Sequence, residues 1–199
     1  MRRSIQLVVI GALAAGLLSS SISAQDSREQ REQPEKLLDI AGVRPGMIVG
    51  EAGAGDGFLT FFLSSRVGPS GHVYANDIDP NSLDRLNERK RREGADNITT
   101  VLGKVDDPLF PAKNLDLVTM IWAFHDFTDR VAWLKNARKY LKEDAGIFIF
   151  DGQAAHFSKD VAERDAEQAG FRLARCEQVL GKIWLYELRL TKKGSIEGR

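Results

Sequence analysis

The sequence contains one cysteine, Cys176, so no internal disulfide can staple the fold in any compartment. Its expected part is that of a small buried or strand residue rather than a redox group. Histidines are few as well: His72, His125 and His156 show no metal-ligand spacing, which leaves metal-assisted chemistry without support. Charge of one sign is not in excess, since 28 basic residues balance 28 acidic ones. No basic groove is discernible, and nucleic acid is not an expected partner. Internal repeats and long low-complexity tracts are missing. A hydrophobic share of 43% is ordinary for a globular chain, and the length suits one compact domain with a sizeable core.

A long apolar run occurs once, from Ile5 to Leu18. Arg2 and Arg3 precede it, Ser19 to Ala24 follow it, and polar Gln25-Asp26 come next, which is the charge, apolar and small-residue order of a secretory signal. Cleavage is expected near Ala24, giving a periplasmic or secreted protein. No stable membrane span is expected afterwards, because a span needs about 20 apolar residues. Residues 25–33 form a polar lead-in with no element assigned, and the folded domain is expected over 34–193. Gly194-Ser195-Ile196-Glu197-Gly198-Arg199 resembles an appended linker with a protease recognition sequence and is set aside.

What the chain does have is the stretch Val49-Gly50-Glu51-Ala52-Gly53-Ala54-Gly55-Asp56-Gly57-Phe58, with an acid, Asp77, twenty residues after Gly57. Glycines in such a turn permit a tight reversal, admit a ligand close to the backbone, and let helix and strand pack together. The layout points to a nucleoside-containing ligand. A dinucleotide fingerprint counted from Gly53 and Gly55 requires a small third residue where Phe58 stands. Glu51 and Asp56 beside the loop would repel a pyrophosphate and favour a cationic ligand. S-adenosylmethionine, which carries an ammonium and a sulfonium, has the right charge; a nucleotide-dependent oxidoreductase is the weaker reading.

The pattern E-x-G-x-G-x-G, as Glu51, Gly53, Gly55 and Gly57, resembles the first motif of the class I S-adenosylmethionine-dependent methyltransferases. Val73 to Pro80 resembles that family's second strand with its ribose-binding acid, and Gly103-Lys104-Val105-Asp106-Asp107-Pro108 its adenine-contacting turn. Leu115 to Val118, continuing to His125-Asp126-Phe127, resembles its fourth strand and following loop. Together these stretches keep the family's order from Glu35 to Lys192. The resemblance implies an α/β, Rossmann-like, seven-stranded sheet, mostly parallel and closed by a C-terminal antiparallel hairpin, with helices on both faces. It also implies an enzyme that moves the methyl group of S-adenosylmethionine in line to a small-molecule acceptor. The N-P-P-aromatic motif of base-amino methyltransferases is absent, Trp122-Ala123-Phe124-His125 standing in its place. Because the leader points away from the compartment where the cofactor is made, the other reading is an exported binding protein with little or no transferase activity.

Local patterns give helices from Pro34 to the Gly42 stop, over Phe58 to Leu63 with Asp56 as cap, from Pro80 to Gly94, and after a Thr128 or Asp129 cap. A further polar helix ends at Gly170. Strands are expected at Met47–Glu51, through Tyr74, at Ile98–Leu102, at Leu117–Ala123 and at Gly146–Phe150. Phe171–Gln178 and Ile183–Leu190 are expected to form the closing hairpin.

The resemblance assigns Glu51, Gly53, Ala54, Gly55 and Gly57 to the cofactor loop, with Glu51 meeting the methionine ammonium directly or through water. Asp77 is expected to accept both ribose hydroxyls, and Ile78 to pack on adenine. Asp106 is the choice for the adenine amino group, with Asp107 or backbone as alternatives, since Lys104 stands where relatives often place the acid. His125 and Asp126 are the catalytic candidates. Histidine changes charge nearest neutral pH and can take a proton from a hydroxyl or ammonium acceptor, although positioning alone could carry much of the rate. His156 is either a pocket residue or a helix-entry residue.

Overall fold

A computed structural model describes residues 27–154 and 156–191. The leader, its cleavage region and the chain from residue 192 onward lie outside the described residues. The chain divides into units of residues 1–34 and 35–199. In the first, residues 27–32 form a helix, with Arg28 Nε 3.2 Å from Glu32 Oε1 in an i,i+4 pair. An all-polar stretch shows no apolar periodicity, which is why that helix was not expected.

From Pro34 onward helix and strand alternate: α1 (Pro34–Ala41), β1 (Ile48–Ala52), α2 (Phe58–Val67), β2 (His72–Asp77), α3 (Pro80–Glu93) and β3 (Ile98–Leu102). Then come β4 (Leu115–Ile121), a 3-10 turn at Phe124–Asp126, α4 (Arg130–Ala137), β5 (Leu141–Asp151), α5 (Lys159–Gln168), β6 (Phe171–Leu180) and β7 (Ile183–Leu190). Helix ends follow local chemistry. Pro80 opens α3 behind an Asp79 cap that accepts from the amides of Asn81 and Ser82, and Gly94 closes it in the left-handed conformation. Asp129, not Thr128, caps α4 by accepting from Ala132 N–H. Asp56 does not cap α2. Gly57 occupies that position at φ 91°, and a Cβ there would press on Phe61 and Leu86 at 3.0 and 3.1 Å.

The seven strands form one sheet in the order β3-β2-β1-β4-β5-β7-β6. Pairing is parallel from β3 to β5, whereas β7 runs antiparallel to both β5 and β6. From Ala145 to Phe150 strand β5 is apolar on both sides, as a strand covered on both faces must be. Phe148 and Phe150 pack with Leu37, Leu38, Leu59 and Leu63 on one face. Ile147 and Ile149 pack with Trp133, Leu134, Ala162 and Ala166 on the other. Phe61 and Phe62 of α2 are only partly buried, and the Arg89 guanidinium lies 3.9 Å above the Phe61 ring. Among the described residues no helix is long and apolar enough to cross a membrane. Strand order reverses between β1 and β4, and in open α/β sheets the crevice outside the carboxyl ends at that point takes ligand.

Candidate active site at the carboxyl edge of the sheet

A cavity of about 300 Å³ opens at that crevice, walled by Gly53 after β1, Asn76 to Ile78 at the end of β2, and Lys104–Val105 after β3, with Trp122, Ala123, Asp126, Phe127 and Thr128 opposite. Its size suits a small ligand. The glycine loop is fixed by backbone bonds: Ala54 N–H donates to Asn76 O at 2.9 Å and Gly57 N–H to Ala54 O at 2.9 Å. Gly53 sits at φ 70°, and a methyl group there would overlap the Ala123 methyl. Glycine therefore lets the β1 and β4 loops approach each other.

Asp77 is held from two sides. Gly55 N–H donates to Oδ2 at 2.8 Å and Asp79 N–H to Oδ1 at 2.9 Å, which fixes the carboxylate while each oxygen keeps a lone pair for another donor. Beside it, Ile78 and Val105 are 57% and 53% exposed although both are apolar. An aimed carboxylate next to uncovered apolar side chains is what a nucleoside requires: hydroxyls for the acid and a flat face for the apolar wall. The residues present fit S-adenosylmethionine at its adenosine end.

The other expected residues are distributed unevenly. Glu51 is 2% exposed, accepts from the Thr60 hydroxyl at 2.6 Å, and is not among the residues that wall the cavity. Asp106 is exposed and lies just beyond the Lys104–Val105 wall, its carbonyl accepting from Asn136. Asp107 serves the turn itself: its carboxylate accepts from Leu109 N–H, the Tyr140 hydroxyl and Lys139. Burial alone would raise the Asp107 carboxyl, but those hydrogen bonds outweigh it and hold it below the usual carboxylate range. Lys104 and Val105 leave the wall on that side formed without either acid.

His125 stands on the 3-10 turn after β4, above an aromatic cluster in which Phe124 meets Phe127, Trp133 and Phe157 at ring separations of 5.2 to 6.5 Å. Its Nδ1 is 2.8 Å from Asp151 Oδ1, and its own N–H donates to Asp151 Oδ2 at 3.0 Å. Asp151 ends β5, is 1% exposed, and also accepts from Gly152 N–H. Sequence reasoning missed this residue; its one available signal was position, an acid at the carboxyl end of an apolar parallel strand. Asp126 walls the cavity, and its Oδ2 lies 3.3 Å from His125 Nε2. His156 is exposed with its ring 6.2 Å from that of His125, and it does not reach the cavity wall. Asn76 was also missed: it is buried and donates to Val101 O and Pro108 O, tying β2 to the β3 turn. Trp122 walls the cavity at φ 51°, a left-handed conformation costly for a bulky residue and characteristic of functional sites.

Comparison with known proteins places this geometry. Residues 49–144 match a family model described as a methyltransferase domain. A curated relative, the ubiquinone/menaquinone biosynthesis C-methyltransferase UbiE of Vibrio parahaemolyticus, is 29% identical over 63% of this chain and 47% of its own. The chain thus spans about half the length of the curated relatives it matches. Among solved structures, a SAM-dependent methyltransferase from Aquifex aeolicus superposes with a TM-score of 0.76 at 25% identity, covering 85% of this chain and 96% of that one. Coclaurine N-methyltransferase, solved with N-methylheliamine and SAH, shares the fold at a TM-score of 0.53 and 17% identity over 60% of this chain and 35% of its own. With the glycine loop, the held acid after β2 and the sheet order in agreement, these similarities support a class I S-adenosylmethionine-dependent methyltransferase.

Proposed function

We propose that the protein transfers a methyl group from S-adenosylmethionine to a small-molecule acceptor. The observation that carries this is the Asp77 carboxylate, fixed by Gly55 and Asp79 amides beside exposed Ile78 and Val105 in one cavity. Asp77 would take the ribose hydroxyls, Ile78 and Val105 the adenine faces, and the backbone after Gly53 the neighbouring part of the cofactor. When bound, the cofactor supplies a methyl group already activated on a sulfonium, so in-line placement of the acceptor lowers the barrier by several kcal/mol, of order 7 to 11 in well-oriented systems. Trp122, Ala123 and Phe127 wall the side away from Asp77 and would shape the acceptor space.

Calorimetric titration with S-adenosylmethionine and S-adenosylhomocysteine tests the proposal. Micromolar binding supports it; a folded protein that binds neither is an exported scaffold of the same fold instead. We further propose that the leader carries this domain out of the cytoplasm. Fractionation of the source cells, with the N-terminus of the mature chain sequenced, decides that point, and a wholly cytoplasmic, uncleaved chain overturns it.

A further inference from the structure

We infer that Asp151 is a positioning residue that fixes His125 as a base through Nε2, and that the acceptor is the hydroxyl of an aromatic compound. The inference rests on the transferase reading above and extends it to the substrate class. Asp151 accepts from the backbone N–H of His125 while facing its Nδ1, so one carboxylate holds both the main chain and the ring of the same residue. A buried carboxylate at Nδ1 keeps the proton there and leaves the Nε2 lone pair on the side that is exposed. Carboxylates face the ring from its own turn, as Asp126 at Nε2, and from β5, as Asp151; His156 approaches from the chain after β5. His125 does not itself wall the cavity, but Asp126, 3.3 Å from Nε2, does, and at 79% side-chain exposure it can turn aside for an acceptor.

The cavity wall that Asp126 shares with Trp122 and Phe127 selects the acceptor. Trp122 and Phe127 offer apolar aromatic surface. A neutral O–H presents one donor to one lone pair, and an aromatic acceptor can stack on those rings. An aromatic hydroxyl with a pKa of about 10 is only about 0.1% ionised at neutral pH, so a base assists it, whereas a carboxylate acceptor needs none. In the step, the acceptor oxygen gives its proton to Nε2 and forms a bond to the methyl carbon. The carbon–sulfur bond breaks with its electron pair passing to sulfur, leaving a thioether, and the imidazolium then loses its proton to water.

Two measurements on the full chain test this. Long-range nitrogen–proton NMR of the imidazole in the unsubstituted protein, above its titration, should show the proton on Nδ1, and Asp151→Asn should lose that preference while cofactor affinity stays within threefold. A proton on Nε2 in the unsubstituted protein, which requires no variant to fold, overturns the positioning role, as does an unchanged tautomer in the variant. Incubation with 2-naphthol, 2-naphthoic acid and 2-naphthylmethylamine should give the naphthyl methyl ether, with a loss of about 100-fold or more in His125→Ala. Transfer to the acid or the amine in place of the hydroxyl, or no ether from a protein that binds the cofactor, overturns the acceptor class. Failure to bind the cofactor at all overturns the transferase reading instead, and the tautomer result separates the two failures.

Discussion

Replacing Asp77 with alanine removes more than a ligand contact, and the structure separates the two losses. In the free protein the carboxylate satisfies Gly55 N–H at 2.8 Å and Asp79 N–H at 2.9 Å. Gly55 and Asp79 are both only half-buried, so their amides can turn to water and the stability cost should stay within about 1–3 kcal/mol. Asp79 still caps α3 through its own side chain, so the helix survives. In the complex, two ribose hydroxyls lose a charged acceptor, and at about 1–1.5 kcal/mol each the binding loss is about 2–3 kcal/mol, or roughly 30- to 140-fold in Kd. Calorimetry with S-adenosylhomocysteine and its 2′-deoxy analogue completes a double-mutant cycle. The unsubstituted protein should prefer the ribose form by about tenfold, and the alanine variant should barely distinguish the two. A folded variant that binds within threefold of the unsubstituted protein, or that keeps the same preference, refutes the assignment of Asp77 to the ribose.

Three further outcomes are expected. Gly53→Ala forces a methyl group onto Ala123 at a left-handed φ of 70° and should cost about 1–3 kcal/mol, read as a Tm lower by about 2–12 °C. Asp129→Ala removes the acceptor for Ala132 N–H at the start of α4 and should cost about 1 kcal/mol, with Tm falling about 2–4 °C in the same assay. Asp107 is held below the ordinary carboxylate range in the fold, so its stabilisation is present above the unfolded value near 3.9 and is lost as pH falls through the lower folded value. Denaturant unfolding from pH 6 down to pH 2 should therefore show Asp107→Asn less stable at pH 6 and the gap closing as the solution is acidified. A gap that widens with acid would contradict the inferred sign.

The architecture was readable where local and long-range preferences agree. β3 falls at Ile98–Leu102 as expected, Pro80 opens α3, and Phe171 to Leu190 forms the hairpin, because apolar patterning, turn residues and burial coincide there. β4 was displaced by two residues at each end, since Asp116 reads as a strand boundary yet lies within the strand, where its carboxylate accepts from Ile48 N–H at 2.8 Å and from Lys142. At the other end Trp122 leaves the strand at a positive φ that no sequence pattern advertises. The cofactor loop and Asp77 were legible because their spacing is local. Asp151 was not, for its partner His125 lies 26 residues away and only the pairing of β4 with β5 brings the strand ends together. The placement of Glu51 against Thr60 likewise depends on which side of β1 is covered by α2, a tertiary fact.

The length of β5 sets an order of events in the native ensemble. Gly146 to Phe150 are paired to β4 along one edge and β7 along the other, and Asp151 continues the pairing with β7, so Asp151 is carried by a segment whose amides should exchange with solvent only in near-global opening. His125 rides on a three-residue turn with few backbone bonds of its own. Transient opening of that turn would lift the imidazole off a carboxylate that stays where it was. Warming should then silence the chemistry at temperatures where circular dichroism still reports an intact sheet, and cooling should restore it without refolding.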